Sequence, residues 1–236
     1  MKFAHNNYFD KKFSSINQIR FYPYVGKNYN QNEKKILVLA HNIYCPIEKY
    51  ESEQIRTASK THFADALEEY TYDQGWWTKT FRNFIKGTLA LKENFTRSSS
   101  DIVIKKVDSF IESISYTNYI NDLVPSNNAN NIAVNPHLIK LSSEINNEIY
   151  KILETSHIFC WGKNVFNYII NQENVNIVER TNLLTKSEIK KQGFEYAKIL
   201  IDNQEIHLLK IFHPSMPKFG HKKEDTRKII EWFMEK

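Results

Sequence analysis

Two rhythms of apolar positions run along the chain. Short continuous apolar runs stop at polar residues, and between them lie stretches with apolar side chains every three or four positions. The run Lys35 to Leu39, KILVL, predicts a buried strand. Ile114 to Tyr119 and His157 to Trp161 predict two more strands. Phe194 to Ile201 and Glu205 to Phe212 predict a pair joined by an Asp202-Asn203 turn. Thr80 to Leu91 sets Phe81, Phe84, Ile85 and Leu89 on one helical face. Asp101 predicts an N-cap for a helix running to Phe110 or Ile111. Pro136 to Glu154 carries Leu138, Leu141, Ile145, Ile149 and Ile152 at helical spacing. Asn164 to Asn171 and about Lys222 to Met234 predict the last two helices.

Strands alternating with helices imply a largely parallel sheet covered on both faces. In such folds ligands bind beyond the carboxyl ends of the strands. Those ends carry His41-Asn42, Thr117-Asn118, Trp161-Gly162 and His213-Pro214-Ser215, so polar residues converge on one edge. Internal repeats are absent, and Ser98 to Ser100 and Asn127 to Asn131 read as loops of one domain spanning residues 1–236.

Composition narrows the class. Hydrophobic residues make up 41% and charged residues 25%, values of a soluble globular chain. No apolar run is long enough to span a bilayer, and the first residues, MKFAHNNYFDKKF, have no leader-like apolar stretch. A cytoplasmic protein is expected. Two cysteines, Cys45 and Cys160, exclude a disulfide framework and read as buried free thiols. The net charge of +5 allows a polyanionic partner without requiring one. Basic residues collect at Lys186 to Lys198, read as a solvated helix face, and at Lys218 to Lys228, just after the His-Pro-Ser segment, where phosphates are expected to be gripped.

The chemistry sits at the strand ends. Phe212-His213-Pro214-Ser215 offers a histidine stiffened by the following proline, a candidate donor to a developing anion. Alone it is a weak tripeptide. Three further segments stand in order before it: Ala40-His41-Asn42-Ile43-Tyr44, Tyr116-Thr117-Asn118-Tyr119 and Trp161-Gly162-Lys163. With these four segments the chain resembles the uracil-DNA glycosylase superfamily over roughly residues 20–235.

The resemblance implies a three-layer α/β/α sandwich around a central, mainly parallel four-stranded sheet. It implies a DNA-repair hydrolase that flips uracil or a related damaged pyrimidine out of DNA and breaks its N-glycosidic bond. His213 would stabilise the anionic base, and Asn42 would position the attacking water. Asn118 would read the base edge, Tyr44 would wall the pocket, and Ala40, His41, Trp161 and Ser215 would complete it. Met216 would wedge into the gap, with Pro217 and Phe219 as further wedge candidates, and Lys218, Lys222 and Lys223 would hold DNA phosphates. Phe63, Trp76 and Trp77 are candidates for stacking on the base. No metal or other cofactor is implied, no histidine spacing suits a metal, and a monomer acting on single- or double-stranded DNA is expected.

Departures from the family pattern keep a second reading open. Asn42 orients water but accepts no proton as a carboxylate does. Ala40 stands where glycine is usual, and proline is missing after Asn42. A protein that binds a nucleobase or nucleic acid on the same fold without cleavage is the alternative. His41 is a candidate acid or base, or a loop histidine with one structural hydrogen bond.

Overall fold

The computed structural model describes residues 3–46, 67, 71–72, 79–91, 94–126, 134–183, 194–215 and 223–236. Helix α1 (Tyr8–Phe13) precedes strand β1 (Tyr24–Val25), a short 3-10 turn (Tyr29–Gln31), β2 (Ile36–Ala40) and β3 (Ile43–Pro46). Then come α2 (Lys79–Thr88), α3 (Asp101–Ser113), β4 (Ser115–Asn118), β5 (Leu123–Ser126), α4 (Pro136–Leu153), β6 (His157–Trp161) and α5 (Lys163–Ile170). The chain closes with β7 (Val175–Leu183), β8 (Phe194–Ile201), β9 (Gln204–Ile211) and α6 (Lys223–Glu235).

One mixed sheet of seven described strands has the order β1-β4-β2-β6-β9-β8-β7. Its centre is parallel: β4, β2, β6 and β9 run the same way. These four strands end in the polar segments expected at one sheet edge. The expected count of four strands is therefore too small. Antiparallel β1 is added on β4, β8 is added antiparallel on β9, and β7 antiparallel on β8. Strand β7 escapes a pattern-based reading because nearly all of VNIVERTNL is exposed and no apolar stripe marks it. A separate two-stranded parallel ribbon pairs β3 with β5.

Side chains on a strand alternate between its faces, and here each face has its own core. Val38, Ala40, Tyr116, Phe159, Trp161, Leu209 and Ile211 meet Phe81, Phe84 and Ile85 of α2, Val107 and Ile111 of α3, and Ile230 and Phe233 of α6. Leu37, Leu39, Ile158, Cys160, Ile206 and Leu208 meet Phe9 and Phe13 of α1, Ile145, Ile149 and Leu153 of α4, and Val165, Phe166 and Ile169 of α5. Three layers result, with the sheet in the middle. Cys160 is buried and free. Among the described residues no helix is long and apolar enough to cross a membrane.

Local chemistry fixes the ends of these elements. Helix α3 begins at Asp101, and Ser100 is its N-cap, so the expectation of Asp101 as cap is corrected by one position. Asp101 instead puts its charge in the first turn, toward the positive end of the helix dipole. Pro136 opens α4 behind Asn135, whose side chain accepts from His137 N–H at 2.9 Å. Glu154 ends that helix in the left-handed region, at φ 52°. Asp202 and Asn203, at φ 48° and 67°, make the tight turn between β8 and β9, a backbone that short polar residues tolerate. The basic stretch Lys186 to Lys198 is no helix face where it is described: from Phe194 onward it is strand β8, and Lys198 pairs with Glu205 across the hairpin at 2.8 Å. Its portion at 186–193 lies outside the described residues.

The hairpin that leads into the His-Pro-Ser turn holds a buried carboxylate. Glu195, 6% exposed, lies between Arg180 at 2.6 Å and Lys210 at 2.5 Å. Burial pushes its carboxyl up, but hydrogen bonds and charge from Lys210 and Arg180 overcome this and hold it below the usual carboxylate range. The folded state thus gives up this proton more readily than the unfolded chain. The stabilisation is complete above the unfolded value of about 4.3 and is lost as pH falls through the lower folded value.

Two stability predictions follow from this packing. Phe84 is fully buried against Trp161, Phe159 and Phe110, and Phe84→Ala is expected to cost about 3–5 kcal/mol in urea unfolding. Glu195→Gln is expected to cost about 3 kcal/mol at pH 7 and to flatten the stability loss that the wild type shows as pH falls below the ordinary carboxylate range. Equal acid sensitivity in the two proteins would count against the ion cluster.

Candidate functional site

The site is built by the register of the four parallel strands. Ala40 of β2 lies level with Asn118 of β4, and Trp161 of β6 lies level with Ile211 of β9. The chain then leaves the sheet at the same edge from each strand. Two of the exits are tied together: Tyr119 N–H donates to Ala40 O at 2.8 Å and Ile120 N–H to His41 O at 2.9 Å. Buried Asn146 of α4 supports this turn, donating from Nδ2 to Tyr119 O at 2.7 Å. The other two exits meet where Gly162 N–H donates to Ile211 O at 3.0 Å. Gly162 has φ +91°, and an added Cβ would still stand 4.0 Å from the Cβ of His213. Backbone conformation, rather than lack of space, requires the glycine there.

Strand alternation sorts the candidates. Asn118 follows Tyr116 and Ala40 onto the face that holds Trp161, while Thr117 lies on the opposite face with Leu39. Trp161 is packed hard: its ring lies 5.2 Å from Phe84, 5.7 Å from Tyr116, 5.9 Å from Phe81 and 6.1 Å, edge on, from His213. It forms the floor beneath His213. Its Nε1 is buried without a hydrogen-bond partner.

His213 is oriented by its own turn. Ser215 N–H reaches Nδ1 at 3.3 Å, and Ser215 Oγ lies 2.7 Å from the same nitrogen. A backbone N–H only donates, so Nδ1 accepts and the ring proton sits on Nε2. Burial holds the imidazole below its ordinary pKa, which keeps it neutral at pH 7 with one N–H to offer. Asn83 of α2 donates to Pro214 O at 2.8 Å and fixes the turn from the other side.

His41 stands beside this arrangement. Its ring stacks on Tyr168 of α5 at 5.7 Å and 27°. Its pKa is lowered to about 4, first by burial and then by the neighbouring His213. Its Nε2 is buried and has no partner, and neither do the buried Nδ2 and Oδ1 atoms of half-buried Asn42. A buried polar atom left unpaired costs about 1–3 kcal/mol; such atoms also occur elsewhere in the chain, and those of His41, Asn42 and Trp161 are distinguished by gathering at one strand-end edge, where a polar ligand or ordered water can meet them. Chemically, the edge offers donors at His213 and Trp161, an acceptor-capable imidazole at His41, and amides that do both at Asn42 and Asn118.

Of the expected site residues, Ala40, His41, Asn42, Asn118, Trp161, His213 and Ser215 come to this one edge. Tyr44 has its backbone in β3, level with Val124 of β5, and its side chain lies outside the described part. Lys223 opens α6, and its side chain lies outside it too. Met216, Lys218, Lys222, Pro217 and Phe219 lie outside the described residues, as do Phe63, Trp76 and Trp77. Two contributors were not expected. Tyr168 had a legible signal, because a helix that starts at Lys163 directly after a site strand brings its first turns to the site. Asn83 had none: a single polar residue on a helix does not announce a carbonyl 131 positions away.

Among the described residues no three His, Cys, Asp or Glu side chains gather as metal ligands do. Comparison with models of known protein families returns no match, and neither does comparison with curated proteins.

The assigned tautomer is directly measurable. Long-range ¹H–¹⁵N spectra at pH 7 are expected to show His213 neutral with its proton on Nε2, and Ser215→Ala is expected to shift the Nδ1 resonance. A protonated ring, or a proton on Nδ1, would contradict the hydrogen-bond pattern.

Proposed function

We propose that the chain is a glycosidase of the uracil-DNA glycosylase type, which holds a flipped pyrimidine at the carboxyl ends of β2, β4, β6 and β9 and hydrolyses its N-glycosidic bond. One observation carries the reading: unpaired polar atoms of His41, Asn42 and Trp161 are buried at the same edge as the neutral donor His213. A pyrimidine edge alternates carbonyl acceptors with a ring N–H, and amides with an N–H donor match that alternation. As the glycosidic bond breaks, negative charge grows on the base carbonyls. A fixed, neutral Nε2–H stabilises such charge without reorganising.

The fold lends support of a coarser kind. The parallel order β4-β2-β6-β9, with Ala40-His41-Asn42-Ile43-Tyr44, Thr117-Asn118, Trp161-Gly162-Lys163 and His213-Pro214-Ser215 at the strand ends, agrees with a uracil-DNA glycosylase-like domain. On this reading Asn118 reads the base edge and Asn42 orients the attacking water. Tyr44 bounds the pocket, Met216 fills the vacated stack, and Lys218, Lys222 and Lys223 hold phosphates. The protein acts as a monomer on DNA in base-excision repair, with water and side chains as the only reactants besides the substrate.

Asn42 also favours a second reading, since an amide accepts no proton. A protein that retains a nucleobase without releasing it would have this residue and the same fold.

Incubation with uracil-bearing single- and double-stranded oligonucleotides, followed by alkali, separates the two. Strand breaks are expected with the wild type, reduced about 10²–10³-fold in His213→Ala and reduced in Asn42→Ala. Salt-sensitive binding without base release, across a panel of pyrimidine lesions, would favour the second reading and sink the first.

A further inference from the structure

Water must lose a proton when it attacks a sugar, and the described strand exits hold little that can take one. Asp122 is their one carboxylate among the described residues, and it is engaged: Arg20 lies 3.0 Å from its Oδ1, which also accepts Leu123 N–H at 2.7 Å. Asn42 is an amide. His213 has Nδ1 occupied by Ser215 and presents Nε2 as a donor. The remaining imidazole is His41, whose Nε2 is buried and unpaired.

We infer that His41 is the proton acceptor of the site, taking a proton from the water that Asn42 orients. This inference rests on the glycosylase reading. The water oxygen bonds to the sugar C1′ while the bond from C1′ to the base nitrogen breaks and its electron pair leaves with the base. One water proton goes to His41 Nε2, with the other ring proton on Nδ1. The imidazolium then gives its proton to the departing base or to solvent. The products are a C1′–OH sugar and the free base, so atoms and charge balance.

The surroundings suit the role. The ring is clamped on Tyr168, which leans on Tyr119 at 5.3 Å. Tyr119 Oη is itself fixed by Ser143 at 2.6 Å and by Gln172 Nε2 at 3.2 Å. Aim is thus imposed through α4 and α5. The titratable groups facing His41 are Tyr168 from α5 and His213 from the turn after β9. Neither is an anion at pH 7 that would hold the ring charged. His213 opposes its protonation, and burial does so more strongly, bringing the pKa to about 4. The ring is therefore free to accept at pH 7 and is lost as an acceptor when pH falls through about 4.

The test measures base release from a uracil-bearing oligonucleotide by the wild type, His41→Gln and His41→Asp, each first shown by urea unfolding to be folded. In His41→Gln, kcat is expected to fall about 100-fold with KM little changed, and the acid limb of the pH–rate profile is expected to vanish. His41→Asp supplies another base and is expected to recover part of the rate. Two results would overturn the inference while leaving the glycosylase reading intact: a wild-type rate and acid limb in His41→Gln, or equal losses in Gln and Asp. If the wild type releases no base from any pyrimidine lesion, the glycosylase reading itself fails and takes this inference with it.

Discussion

Strand β2 has parallel neighbours on both sides and apolar helices over both faces, so its five residues Ile36–Ala40 are all apolar and buried. A strand in that position has no side on which to carry a polar group. Polar chemistry is forced to its ends, and the parallel register then matters. Because β4, β6 and β9 run with β2, their first polar residues emerge at the same edge and at nearly the same height. The three backbone hydrogen bonds Tyr119 to Ala40, Ile120 to His41 and Gly162 to Ile211 continue the ladder one step past the strands. They convert four separate chain exits into one surface. An antiparallel centre would have sent half of these residues to the other end of the sheet.

That edge is held under cost. The core beneath it is aromatic and tightly built, with Phe81, Phe84, Tyr116 and Trp161 in mutual ring contact. Four polar atoms of His41, Asn42 and Trp161 sit just above it without partners. At about 1–3 kcal/mol each, their combined cost is a sizeable part of the roughly 5–15 kcal/mol by which a domain is stable. Leucine or methionine at such positions would remove the penalty. Keeping an amide and an imidazole there makes physical sense where a ligand or ordered water supplies the missing hydrogen bonds, and the fold around them is rigid enough to hold the groups apart in the meantime.

How much of this could be read from the residues depended on what each side chain packs against. The four parallel strands were legible as short runs that end in polar residues, and helices α2 to α6 from apolar positions at helical spacing. His157 to Trp161 and Phe194 to Ile201 agree residue for residue with the structure. Strand β7 and helix α1 were not legible. The first carries no buried stripe, and the second is six residues held by only two buried side chains, Phe9 and Phe13. At the site, the residues on strand ends were legible because sheet topology alone places them. Asn83 and the stack of His41 on Tyr168 depend on helix rotation and tertiary packing, which a periodic pattern does not encode.

The two imidazoles illustrate why a site can need two copies of one residue type in opposite states. His213 is fixed as a donor because Ser215 occupies its Nδ1, while His41 keeps an open nitrogen. Burial disfavours the charged form of each ring, and His213 disfavours that of His41 further. Both rings are therefore neutral at pH 7, a state in which His213 donates from Nε2 and His41 keeps an open nitrogen. A lysine or arginine in either place would bring a fixed positive charge and could not accept. A carboxylate in place of His41 would attract the proton on a nearby ring and raise the pKa of His213, turning a neutral donor into a charged one. Two half-buried histidines can thus offer a donor and an acceptor together without a net charge above the aromatic floor.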